Sequence, residues 1–113
     1  MAARQRLICA SGELADSADG VRFEVDFGEE RAPAFAVRFE GVVYAYLNRC
    51  VHMPMELDWK MGKFFDPEGL LLVCSTHGAL YQPDSGKCLA GPCAGQLTQI
   101  AVDERDGDVY VEE

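Results

Sequence analysis

Apolar and polar positions alternate in short runs along most of the 113-residue chain. Ala34–Glu40 puts Phe35, Val37 and Phe39 on one face, and Val42–Asn48 does the same with Val43, Ala45 and Leu47. Two period-two runs joined by Glu40-Gly41 predict an antiparallel hairpin. Arg6–Ala10 predicts a first strand, and Asp19-Gly20 marks a turn before another at Val21–Phe27. Leu70–Cys74 reads as a buried strand. Leu80–Gln82 and Lys87–Leu89 read as short strands on either side of a turn at Pro83-Asp84-Ser85-Gly86. Leu97–Val102 and Asp108–Glu112 close the chain, joined by a hairpin-type turn at Arg105-Asp106-Gly107. Many short strands with closely spaced turns predict an all-β sandwich or barrel, and the length fits one domain over residues 1–113.

The periodicity breaks after Asn48. Residues 49–69 hold Pro54, Gly62, Pro67 and Gly69 without a sustained helical or strand period, and are expected to be mainly loop. Long loops inside compact domains are usually functional. This one separates Cys50-Val51-His52 from Cys74-Ser75-Thr76-His77, with 21 residues between His52 and Cys74. Each pair sits at a predicted strand end and offers one thiolate and one imidazole. Together they make a two-sulfur, two-nitrogen donor set. A single zinc ion could take all four tetrahedrally and brace the loops. A [2Fe–2S] cluster could instead take two thiolates on one iron and two imidazoles on the other. Zinc fingers usually pair like with like, whereas this chain pairs Cys with His twice.

Composition narrows the setting. Nearly half the residues are apolar, enough for an ordinary core. The first ten residues, with Arg4 and Arg6, resemble neither a secretory signal nor an anchor, and no apolar run is long enough to span a bilayer. A soluble cytoplasmic protein is expected. The net charge of −9 argues against nucleic acid or an anionic membrane as partner. Residues 48–95 carry only about −1 of it, and Asp103–Glu113 has six acids against Arg105. That imbalance suits either a solvated surface or steering toward a basic partner, with a near-neutral patch left for contact. Five cysteines, an odd number, do not suggest a disulfide framework.

Cys50-Val51-His52 followed by Cys74-Ser75-Thr76-His77-Gly78 resembles the Rieske [2Fe–2S] motif, and Gly91-Pro92 is similar to that family's third, cluster-covering loop. The resemblance extends over essentially the whole chain. It implies a small fold of short antiparallel strands, with a cluster-binding part at about 48–95 built on two loops. Cys50 and Cys74 would bind the inner iron of one cluster per chain, and His52 and His77 the outer iron. Met53 would shield one face, and Ala79, Tyr81 and Pro92 would lie around the cluster. Pro54 is a departure, standing where the family usually has Gly. High-potential members carry an inter-loop disulfide where this chain has Met55 and Thr76, and a Ser where it has Ala79; Tyr81 matches their sulfur-donating Tyr. The expected potential therefore lies in the lower half of the Rieske span. Cys88 and Cys93 could form a small disulfide or a second metal half-site, but are read as packing residues near the cluster. Cys9 is expected in the core, and Trp59, Phe64 and Phe65 in a mini-core under the loops.

Rieske centres serve both ferredoxins and oxygenases that add a catalytic iron on a two-His, one-carboxylate triad. Both histidines of this chain are already assigned to the cluster. The resemblance therefore implies a monomeric carrier without its own catalytic site, taking electrons from a flavoprotein reductase and passing them to a terminal oxygenase. A zinc-stabilised interaction module and a tightly bound small subunit of a reductase are the alternatives.

Overall fold

The computed structural model describes residues 5–27, 30–49, 57, 62–66, 68–74, 78–90 and 95–112. Among them are ten strands and one 3₁₀ turn at Ser11–Glu13. The strands are β1 Gln5–Ala10, β2 Val21–Phe27, β3 Glu30–Phe39, β4 Val42–Leu47, β5 Leu72–Val73, β6 Leu80–Tyr81, β7 Cys88–Ala90, β8 Gln99–Ile100, β9 Val102–Arg105 and β10 Asp108–Glu112. They form three antiparallel sheets: an outer one in the order β1-β10-β9, a central one β2-β3-β4-β8 and a small one β5-β6-β7. The fold is all-β, as the patterning predicts. No helix among the described residues is long and apolar enough to cross a membrane.

The central sheet is buried on both faces. Phe35, Val37 and Tyr46 lie in one core with Leu57, Phe64, Leu72, Cys74 and Tyr81 of the small-sheet side. The register explains the grouping, because Phe35 pairs with Tyr46 and Val37 with Tyr44. The opposite face carries Ala36, Val43 and Ala45 against Cys9 and Val109 of the outer sheet. Alanines keep that face shallow, so a second sheet can pack closely on it. The predicted hairpin is β3–β4, with Glu40 (φ 51°) and Gly41 (φ 83°) in the left-handed region at its turn.

Three expectations change. The run Leu97–Val102 is not one strand: β8 pairs with β4 in the central sheet, and β9 pairs with β10 in the outer one. Ala101 sits at the crossing, and its carbonyl accepts the Glu112 N–H at 3.0 Å. Next, β3 begins at Glu30 and includes Pro33. The Pro33 carbonyl accepts the Asn48 N–H at 2.8 Å, just past the last β3–β4 pair, Ala34 with Leu47. The missing proline N–H thus falls beyond the paired end of β4 and costs one bond at most. Finally, Phe64 and Phe65 form no separate mini-core. Phe64 stacks on Phe35 with centroids 4.0 Å apart, and Phe65 faces Phe39 at 6.3 Å. Trp59 lies outside the described residues.

Candidate metal centre

The small sheet positions Cys74, the described member of the second predicted ligand pair. Val73 pairs with Leu80 and Leu72 with Tyr81, which leaves Cys74 and Ala79 at the mouth of the hairpin. The Cys74 N–H donates to the Ala79 carbonyl at 2.8 Å, and the Gly78 N–H donates back to the Cys74 carbonyl at 2.8 Å. Gly78 has φ 71°, a conformation that costs glycine little and other residues about 1 kcal/mol. This tight closure requires the Gly that follows the Cys-x-x-His motif.

Cys74 carries a thiol not engaged in a disulfide and is fully buried, as are Ala79 and Tyr81 beside it. A cavity of about 600 Å³ opens against Cys74 and Gly78 and runs past Val73, Phe64 and Phe65 to Asp19 and Lys63, which form an ion pair at its rim. Tyr81 pairs with Leu72 directly beneath Cys74 and packs in the same core.

The hairpin is held from below. Pro83–Ser85 form the predicted turn, with Gly86 N–H donating to the Gln82 carbonyl at 2.8 Å and Gln82 N–H to the Lys87 carbonyl at 2.9 Å. Gly86 lies under the Tyr46 ring, where a Cβ would come within 2.8 Å of Cε1. On the other side of β5, Val73 N–H donates to the Phe64 carbonyl at 2.9 Å, and Phe65 bridges Leu72. The end of the 49–69 segment thus serves as an extra edge for the small sheet.

Of the predicted site residues, Cys74, Ala79 and Tyr81 are brought together. Cys50, His52, Met53, His77 and Pro92 lie outside the described residues. Accordingly, no group of three or more His, Cys, Asp or Glu side chains is placed to hold a metal among the described residues. Cys9 is in the core, as expected, between the central and outer sheets. Burial, followed by the nearby Glu13 charge, pushes its thiol pKa up, so it is a poor ligand. Cys88 departs from its expected packing role: it is closed in a disulfide whose partner lies outside the described residues. Its N–H donates to the Gly95 carbonyl at 3.0 Å, while Lys87 bridges Gln96, so the chain returns beside β7 after residues 91–94. In the sequence a disulfide is the reading of Cys88 ranked below packing.

The sequence matches the Rieske [2Fe-2S] domain family over residues 5–101, and the chain belongs to that family. Its cofactor is one [2Fe–2S] cluster per domain. A fully buried thiol at a glycine-closed hairpin mouth, within a motif of two Cys and two His, fits that group. The fold resembles a Sphingomonas yanoikuyae B1 ferredoxin, with TM-score 0.76, 20% identity, and 97% of this chain and 99% of that chain covered. It also resembles a chain in a complex of reduced oxygenase and oxidized ferredoxin in carbazole 1,9a-dioxygenase, with TM-score 0.74, 23% identity and coverage of 96% and 92%. A third likeness is to the terminal oxygenase of carbazole 1,9a-dioxygenase from Novosphingobium sp. KA1, with TM-score 0.76 and 25% identity; it covers 96% of this chain but 29% of the oxygenase. No curated protein sequence matches significantly.

Proposed function

We propose that this protein is a soluble, cytoplasmic one-electron carrier that takes electrons from a flavoprotein reductase and delivers them to a terminal oxygenase. Cys50 and Cys74 hold the inner iron, His52 and His77 the outer iron. The observation that carries the reading is Cys74: a buried thiol at the Gly78-closed mouth of β5–β6 in a chain of the Rieske family. When bound, the cluster supplies a reversible one-electron centre whose imidazole ligands raise its potential above that of an all-cysteine cluster. The chain's own residues position it. Gly78 permits the closure, Ala79 and Tyr81 exclude water around the Cys74 side chain, and Tyr46 and Phe64 tie the small sheet to the central one.

The oxygenase–ferredoxin complex among the similar structures supports an oxygenase as acceptor. The chain has only two histidines, and with both on the cluster no two-His catalytic iron can be built. We therefore assign it no catalytic site of its own. The net charge of −9 suits a monomer that avoids nucleic acid and anionic membranes and meets a basic partner surface.

Electron paramagnetic resonance before and after dithionite, with iron, zinc and sulfide assayed on the same anaerobic sample, tests this reading. A low-average-g signal appearing only on reduction, with about two irons and two sulfides per chain, is expected. Stoichiometric zinc without sulfide, persisting after reconstitution with iron and sulfide, would replace the carrier by a zinc-braced interaction module.

A further inference from the structure

Asn48 stands two residues before Cys50, directly after β4. Apart from the tyrosines, it is the only polar side chain fully buried among the described residues, at 1% exposed. Burying a carboxamide is costly unless its groups are bonded. Its Oδ1 accepts the backbone N–H of Leu57 at 2.7 Å in a buried contact. The Asn48 N–H meanwhile donates to the Pro33 carbonyl at 2.8 Å, which anchors the residue to β3. Leu57 is equally fixed, its side chain fully buried beside Cys74, Ala79 and Tyr81. One side-chain bond therefore spans nine residues and ties both ends of segment 49–56 to the core that carries Cys74.

We infer that Asn48 is a positioning residue for the metal centre: it sets how the segment bearing Cys50 and His52 is presented to Cys74. The inference rests on the reading of Cys50 and His52 as ligands. An apolar side chain of similar volume would fill the same space without a desolvation cost, but would leave the Leu57 N–H buried and unbonded. The carboxamide oxygen gives a fixed reach to the Leu57 backbone amide. Two residues back on the same strand face, Tyr46 donates its hydroxyl to the Pro83 carbonyl and so ties down the turn below the other half of the site. The end of β4 thus anchors both halves.

The test compares purified holoprotein variants Asn48→Ala, Asn48→Asp and Val109→Ala by iron release to a chelator, thermal unfolding and electron paramagnetic resonance of the reduced state. Val109 is buried in the other core, so its variant reports general destabilisation alone. At temperatures equally far below each unfolding midpoint, Asn48→Ala should release iron about tenfold faster than Val109→Ala and show shifted g values. Asn48→Asp retains the acceptor but buries a carboxyl group, so it should release iron more slowly than Asn48→Ala without matching the unsubstituted protein. Should Asn48→Ala not accumulate folded, Asn48→Ser, too short to reach Leu57, is read by the same comparison. Release from Asn48→Ala no faster than from Val109→Ala overturns the inference. Absence of a cluster signal from the unsubstituted protein instead overturns the ligand assignment beneath it.

Discussion

The Tyr46 hydroxyl donates to the carbonyl of Pro83 at 2.7 Å, so the central sheet holds the turn between β6 and β7 by a buried bond. The same ring tilts against Phe35, with centroids 5.8 Å apart, and covers Gly86. Removing the hydroxyl leaves the Pro83 carbonyl buried without this partner. Tyr46→Phe should cost about 1–2 kcal/mol in urea unfolding. Burial, with Asp84 contributing, raises the Tyr46 pKa. The unfolded state therefore releases this proton first, and stability falls as pH rises above the ordinary tyrosine value of about 10. An alkaline stability slope unchanged in Tyr46→Phe would contradict this account.

Arg38 joins three parts of the fold. Its Nε donates to the Leu14 carbonyl at 2.7 Å, and Nη1 to the Gly41 carbonyl at 3.0 Å and to Glu104 Oε1 at 3.0 Å, while Nη2 donates to Oε2. Hydrogen bonding from Arg38 holds the Glu104 carboxyl below its ordinary pKa. The unfolded chain binds this proton more readily, so the contribution is present above about pH 4.3 and lost as pH falls through the folded value. Glu104→Gln should lose about 1 kcal/mol at pH 7, a modest figure because the pair is partly exposed, with the loss shrinking on acidification. Denaturant titrations at pH 7 and pH 3 on both proteins measure it.

Gly20 is required by close approach. A Cβ there would lie 2.7 Å from the Ala36 carbonyl oxygen, 2.8 Å from Phe64 Cδ2 and 2.9 Å from Val37 Cγ1. None of these is the free end of a flexible side chain. Gly20→Ala should destabilise by about 1–3 kcal/mol and disturb the Phe35–Phe64 stack. A thermal midpoint equal to that of the parent protein would show that this region yields more readily than the packing implies.

Ala79 is fully buried beside Cys74, where the high-potential pattern has a hydroxyl. An alanine cannot donate to a cluster sulfur, and Met55 and Thr76 cannot make the inter-loop disulfide. Redox titration should place the midpoint in the lower half of the range from about −150 to +300 mV. Ala79→Ser should raise it, because a donor to sulfur favours the reduced state.

The Cys88 disulfide predicts a labelling pattern. Alkylation under denaturing, non-reducing conditions, read by peptide mass, should leave Cys88 unmodified and label Cys9 and Cys74. Prior reduction should expose Cys88 as well.

The sequence by itself determined the local features. Alternation in Ala34–Glu40 and Val42–Asn48, broken by Glu40-Gly41, specified the β3–β4 hairpin, and Pro83–Gly86 specified the β6–β7 turn. Both follow from short-range geometry: strands repeat every two residues, and certain turns need particular residues. The Cys and His spacing likewise pointed to one site. The tertiary structure decided what covers each face. Ala34, Ala36 and Ala45 carry too weak an apolar signal to reveal that β3 and β4 are buried on both sides. Leu7 and Cys9 should share a face by period two, yet the register shift between them leaves Leu7 55% exposed and Cys9 buried. β8 and β9 separate because β9 stays in its local hairpin with β10 while β8 pairs with distant β4, and no local pattern encodes that second pairing. Asn48 looks like an ordinary strand-end polar residue until the core closes over it and leaves the Leu57 amide as its neighbour.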